Sequence, residues 1–380
     1  MTTVDHHTFR PDYAIPPGET LRDRLAELTL SQAELAARAG LSAKHVNQIM
    51  QGIAPITLET AIALDRITGV PASIWNRREA DYREALLRSK PRVLSAEDKA
   101  WLDALPTKEL KKRGCLPDEK DPSRLFDAVL SFFGVADRAA HERVWKVPVA
   151  SFRRSSAYKS SPGAVVSWLR IAQLEAQERK VEPYSAATFR KVLRDIRALT
   201  ASGDPNDLVD LCAAAGVVVV FVSGVTGCRI SGAAWWASPG RAVIALTDRY
   251  KKDDFFWFTF FHEAAHLLLH SKKETFVDDG TDNDVIENEA NDFATDFLIP
   301  PEHQERLHRL STDSEVKAFA DDIGIAPGIV VGRLQHDEKW GWNKGHGLKR
   351  TLRIVDVEDG MSSCTPTPGG AAASQSMLCG

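Results

Sequence analysis

Disulfide frameworks and cysteine-based metal knuckles are excluded first. The five cysteines, at 115, 212, 228, 364 and 379, are odd in number and nowhere form a CxxC pair. Long apolar runs are missing too: no stretch approaches the roughly 18 residues of a membrane span, and the opening MTTVDHHTFRPDYA has neither the basic start nor the apolar core of a secretory signal. The expectation is a cytoplasmic protein with no membrane partner. Charge of one sign is equally absent. Lys and Arg total 48 against 52 Asp and Glu, a net of −4, which excludes a generally polybasic protein but not a small domain that touches DNA through a few placed side chains. What remains is ordinary, with 43% hydrophobic and 26% charged residues. At roughly 100 to 200 residues per domain, 380 residues suggest two or three domains.

The segments differ in pattern. Residues 1–12 are polar and read as loose, and 13–86 carry dense helical periodicity with short breaks. Residues 87–202 begin rich in charge and proline, then return to apolar clusters at helical spacing, and read as a linker plus a helical middle region. From 203 to 357 the pattern is mixed. NDLVDLCAAAG is a helix ended by Gly216, VVVVFV a buried strand, and GCRISGAAWW and RAVIALT two further strands. Helices follow from Asp253 to His270, from Glu287 to Leu298, and over Ser314 to Gln335. Residues 358–380 form a Gly/Ala/Ser/Thr/Pro tail with too little apolar surface to order itself.

In LSQAELAARAGLSAKHVNQIMQGIAPIT, Ser31 and Glu34 have capping-box spacing. Ala36, Gly40, Leu41, Val46 and Ile49 then supply the small residue, the turn and the apolar contacts of a helix-turn-helix. Ser42 caps the second helix. Lys44, Asn47 and Gln48 fall on its exposed side, where amides can pair with adenine and Lys can reach guanine or phosphate. Residues 1–80 hold eight Lys/Arg against nine Asp/Glu, so the domain is not basic, and a helical pair that binds only protein is the alternative. Together with PPGETLRDRL and PITLETAIALDRITGVPASIW, this stretch resembles the XRE-type helix-turn-helix family, in its HigA-like antitoxin branch. The resemblance implies a homodimeric operator-DNA-binding module, with Gln32 at a phosphate, Lys44, Asn47 and Gln48 facing bases, and Ser42 in the same DNA-binding set.

The strongest chemical signal is FTFFHEAAHLLLH. His262 and His266 lie on one helical face about 6 Å apart along the axis, so their imidazoles can converge on one ion, with Glu263 placed as general base toward a zinc-activated water. A chance HExxH is expected only about 0.02 times in a chain of this composition. His270 lies about 12 Å along the axis from His262, too far to share the ion, and reads as structural or as support for the ligands. A third ligand is needed from VIENEANDFATDFLIP, where Glu287 and Glu289 are both candidates. Glu289 is preferred because Phe293 and Phe297 follow it at four-residue steps, which places it on the inward face, with Glu287 about 160° away.

The runs RISGAAWW, RAVIALTDRYKKDDFFWFTFFHEAAHLLLH, ENEANDFATDFLIP and IGIAPGIVVGRLQHD resemble the ImmA/IrrE metallopeptidases, and the middle region is similar to that family's fusions to XRE domains. The resemblance spans nearly all of Pro16 to Asp356. It implies a multidomain chain: an all-α helix-turn-helix domain, a helical middle region and an α+β zincin-like metallopeptidase domain. It also implies Zn2+ bound by His262, His266 and Glu289, catalysis by Glu263, and cleavage of a repressor-type protein to release genes from repression. One departure stands out. The related thermolysin-like pattern puts an Asp four residues after the ligand Glu, and here that position is Phe293, with Asn291 and Asp292 as polar neighbours.

Other residues carry less. GCRISGAAWW would make an edge strand that an extended substrate can join. Arg229, Tyr250 and His308 are candidate oxyanion stabilisers, each more readily structural, and Cys228 reads as a small buried hydrophobe. FADDIGIAPGIVVGRLQ echoes the helix-turn-helix spacing but reads as packing, and the five Lys/Arg at 339–353 read as a solvated edge. The leading expectation is a regulator joining operator binding to zinc endopeptidase activity, on a repressor or on itself, in a stress, toxin-antitoxin or mobile-element setting. The alternatives are a repressor or antitoxin whose peptidase-like domain only senses, and a helix-turn-helix that recognises a protein.

Overall fold

The computed structural model describes residues 14–89, 92–145, 160–270, 283–356 and 362–366. The chain divides into two units, Met1–Val93 and Leu94–Gly380. In the first, helices α1 (Pro17–Glu27), α2 (Gln32–Ala39), α3 (Ala43–Met50), α4 (Leu58–Thr68) and α5 (Ala72–Ser89) follow one another with short turns. Local chemistry sets their starts. Ser31 and Glu34 exchange the two capping-box hydrogen bonds, and Ser42 and Thr57 accept from the third helical N–H of α3 and α4. Gly40 ends α2 in the left-handed region at φ 66°, which lets α3 turn back across it. Leu21, Leu35, Ala36, Val46, Ile49, Leu64 and Trp75 close a core of their own.

The second unit is built around a sheet of β1 (Val217–Phe221), β2 (Gly232–Ser238) and β3 (Arg241–Leu246) in the order β1-β3-β2. β1 runs parallel to β3 and β2 antiparallel to it, so β2 is an edge. β1 and β3 are apolar at nearly every position because both faces are covered. On one face Val218, Val220, Val243 and Ala245 pack against α6 (Ala96–Asp103), α7 (Thr107–Lys112), α8 (Pro122–Phe133) and α9 (Pro162–Glu178). On the other, Val217, Val219, Phe221, Ile244 and Leu246 meet α10 (Ala186–Ser202), α11 (Asp207–Ala213), α12 (Asp253–Leu269) and α13 (Asn283–Leu298). The same core takes in α14 (Gln304–Leu307), α15 (Asp313–Ile323) and α16 (Pro327–His336).

Two expectations change here. The boundary at 202/203 runs through one core, since the middle helices cover one face of the sheet. Trp168, fully buried on α9, even donates to the Val222 carbonyl at 3.1 Å. Within the tail expected at 358–380, Ser362–Pro366 forms strand β5, paired antiparallel with β4 (Leu352–Asp356). A backbone ladder needs no apolar side chains of its own when its partner is anchored, and Leu352 and Ile354 are buried. The rest of that tail, and residues 1–12, lie outside the described residues. The echo of the helix-turn-helix at α15 and α16 is a packing element, with Ile329, Val330, Val331 and Leu334 buried. In the basic stretch at 339–353, Lys349 is buried against Asp254 and Arg350 pairs with Asp253, so much of that charge is spent inside the fold. Among the described residues, no helix is long and apolar enough to cross a membrane.

Candidate metal centre and DNA-facing helix

α12 is enclosed on most sides. Trp257, Phe260, Phe261, Ala264 and Ala265 are fully buried, and each phenylalanine contributes about 2 to 3 kcal/mol of burial. Polar side chains on such a helix sit on a rigid support at low dielectric. His262 and His266 share one face, with their Nε2 atoms 3.1 Å apart. α13 crosses opposite them on Ala290 and Ala294, which are fully buried and small enough to let the two helices approach closely. One turn before Ala290 on that face, Glu287 brings Oε2 to 3.3 Å from His262 Nε2 and Oε1 to 3.7 Å from His266 Nε2.

This arrangement corrects the preference for Glu289. The inward stripe of α13 is Glu287, Ala290, Asn291, Ala294 and Leu298, while Phe293 and Phe297 pack along its flank and Glu289 has a side chain 58% exposed. With Glu287 as reference, the polar residue four positions on is Asn291, whose Oδ1 accepts from His262 Nδ1 at 3.0 Å. The departure noted from the thermolysin-like pattern thereby reduces to Asn in place of Asp.

The donor set fits a zinc-sized cation. An ion with tetrahedral bonds of about 2.0 to 2.1 Å separates its ligand atoms by roughly 3.4 Å. The three observed separations of 3.1, 3.3 and 3.7 Å bracket that value. His262, His266 and Glu287 thus form a group whose ligand atoms all lie within 4.8 Å of one another. Because His262 Nδ1 donates to Asn291, its Nε2 lone pair faces the same point as the Glu287 oxygens. Three electron-pair donors aimed at one point repel each other, and a shared cation would relieve that repulsion.

The Glu263 side chain reaches β2. Its carboxylate accepts the Ala234 N–H, and burial pushes its pKa up to about 7, against the pull of His262. A carboxyl group poised there exchanges protons readily near neutral pH. Gly232 lies directly over it: a Cβ at that position would sit 3.1 Å from Glu263 Oε1 and 2.6 Å from Thr259 Cγ2. His266 Nδ1 faces His270 Nδ1 at 2.9 Å, and His270 Nε2 lies 3.4 Å from Glu289 Oε2. Of the remaining candidates, His308 pairs with Asp337 at 3.0 Å, Tyr250 stacks on Phe255, and the Arg229 carbonyl accepts from Arg249. Cys228 is half-buried, with its thiol pushed up by burial.

On α3, Lys44 and Asn47 are exposed and Gln48 is half-buried, and Gln32 is exposed at the start of α2. The Ser42 hydroxyl is engaged as the cap of α3, accepting from His45 N–H at 3.1 Å.

Residues 21–75 match the helix-turn-helix family model, and residues 212–335 match that of the IrrE N-terminal-like domain, a peptidase family. These stretches are a helix-turn-helix domain and an IrrE N-terminal-like domain. The second match begins at Cys212, although the helices from Leu94 onward share its core. Solved structures similar to the N-terminal part include the Pseudomonas aeruginosa antitoxin HigA with its higBA promoter, at 36% identity over 20% of this chain and 83% of that one, with a TM-score of 0.19. Another is a Pseudomonas aeruginosa protein in complex with its 18 bp operator DNA, at 36% identity over 20% of this chain and 82% of that one, with a TM-score of 0.19. No curated protein matches the chain.

Proposed function

We propose that the chain is a DNA-binding regulator whose IrrE N-terminal-like domain is a zinc-dependent endopeptidase acting on a repressor-type protein, the chain itself included. The observation that carries the reading is the convergence of His262, His266 and Glu287 beside a buried Glu263 of raised pKa. His262, His266 and Glu287 would hold the ion, which supplies Lewis acidity toward water and a peptide carbonyl. Glu263 takes the proton from the attacking water and passes it to the leaving amine, work for which a pKa near 7 is well matched. An extended substrate adds to the free edge of β2, next to Glu263, through main-chain hydrogen bonds. At the other end of the chain, Asn47, Gln48 and Lys44 read operator bases, with Gln32 and Ser42 at the backbone, and the module acts as a homodimer. A stress, toxin-antitoxin or mobile-element locus is the setting this pairing suits.

The test uses the full chain with a co-encoded repressor-type protein and operator DNA. Glu263→Gln is expected to keep the wild-type zinc content and operator affinity while cleavage falls at least about 100-fold. Replacing Asn47 and Gln48 by Ala is expected to weaken operator binding by about 1 to 3 kcal/mol per lost base contact and leave cleavage intact. Undiminished cleavage by the Glu263 variant would refute the peptidase reading, and unchanged operator affinity would refute base reading by α3.

A further inference from the structure

We infer that His270 and Glu289 form a positioning pair that fixes the ring and the proton of His266 from outside the ligand set. The inference rests on the metal-centre reading above. His262 is oriented by Asn291, and His266 needs an equivalent, because a ligand imidazole whose second nitrogen is untethered can rotate off the ion. His270 supplies it. At the C-cap of α12, its Nδ1 lies 2.9 Å from His266 Nδ1, and its side chain is only 9% exposed.

The protons are then determined along the chain of contacts. His266 presents its Nε2 lone pair to the site, so its proton is on Nδ1 and is donated to His270. His270 accepts at Nδ1 and must carry its own proton on Nε2. That nitrogen is buried, has no ideal hydrogen bond, and lies 3.4 Å from the Glu289 carboxylate. Glu289, mostly exposed, presents its carboxylate oxygen on the side of that nitrogen. Every nitrogen of the three histidines along α12 then has a defined role, and Glu289 acts two contacts away from the site where it was expected as a ligand.

The experiment measures Co(II) and Zn(II) affinity of the full chain by competition with a chromophoric chelator, together with the Co(II) ligand-field spectrum. The variants are His266→Ala, His270→Leu, His270→Asn and Glu289→Gln. His270→Leu removes the acceptor and is expected to weaken metal binding 10- to 100-fold and alter the Co(II) spectrum. His270→Asn places an amide oxygen near the lost Nδ1 and is expected to restore affinity to within a few-fold of wild type. Glu289→Gln, on an exposed side chain that cannot threaten folding, is expected to weaken binding about 3- to 10-fold. If His266→Ala binds as wild type does, the metal-centre reading itself fails. If His266→Ala loses the metal while His270→Leu and Glu289→Gln keep wild-type affinity, or if Asn and Leu at 270 are equally impaired, the positioning pair is overturned and the metal centre stands.

Discussion

At Gly232 one hydrogen atom separates β2 from α12. Its backbone angles are open to any residue, so only space decides what can stand there. Alanine would gain about 0.5 to 1 kcal/mol by restricting the unfolded chain. The same methyl would press on Thr259 and on Glu263 at 2.6 to 3.1 Å, and overpacking of that kind costs about 1 to 3 kcal/mol. Overpacking wins, so Gly232→Ala is expected to lower stability modestly and cleavage by roughly 10- to 100-fold, because a small displacement of a base is costly. Zinc content should not change; a variant that loses metal in proportion to activity would contradict this account. His141 gives a prediction in pH. Burial pushes its imidazole down to about 4, partly opposed by Glu142, and Trp101 donates to its Nδ1 at 3.2 Å, which requires that nitrogen bare. In the unfolded chain the same ring protonates near its ordinary value of about 6.5, so between roughly pH 6.5 and 4 the unfolded state holds more protons. Stability is fully present above that window and falls as pH drops through it, by up to about 3 kcal/mol. Urea unfolding at pH 8 and pH 5 checks this, and His141→Gln should show a shallower loss than wild type. Glu287 shows why residue-scale reading of the sequence stops short. The spacing of α13 leaves two glutamates open, and its large aromatics suggest an inward face along Phe293 and Phe297. In the fold it is the alanines that face α12, because close helix crossing selects small residues, and crossing geometry is not written in a single helix.

The elements themselves were largely legible where their causes are local. Ser31, Glu34, Gly40 and Ser42 act within one turn of where they stand, so α2 and α3 follow from sequence. The packing of α8 and α9 onto the sheet did not, because it depends on contacts between residues many positions apart. The N-terminus of α12 is such a long-range joint. Lys349 Nζ, 4% exposed, lies 2.6 Å from Asp254 Oδ2 and 2.6 Å from Gln335 Oε1, which ties the segment before β4 to α12 and α16. Removing one partner of a buried pair leaves the other charge uncompensated, so Lys349→Met is expected to cost about 3 to 5 kcal/mol. Adding Asp254→Leu should recover part of that loss, with a coupling of at least about 1 kcal/mol in a double-mutant cycle from urea unfolding. Additive effects would mean that the pair is not a unit and that α12 is held by its apolar contacts alone.

For the whole molecule, the three residues proposed to hold the ion lie in the unit Leu94–Gly380, whereas the helix-turn-helix closes its own core in Met1–Val93. A ligand that binds only the folded state stabilises the unit that holds it, by about 4 kcal/mol at a thousand-fold excess over its dissociation constant. Two units with separate cores need not share that gain. Chelation of zinc from the full chain is therefore expected to lower amide hydrogen-exchange protection in α12, α13 and the sheet, and to leave α1 to α4 unchanged. Mass spectrometry of peptides from each unit, with and without chelator, reads both in one sample. A protection loss spread equally over the two units would show that the metal stabilises them as one body, and no loss anywhere would mean that the ligand cluster does not hold zinc. The expected result, confined to one unit, would let operator binding persist in the metal-free chain. Loss of zinc would then switch off cleavage without releasing DNA, since the residues proposed to read bases stand on a core that the ion does not support.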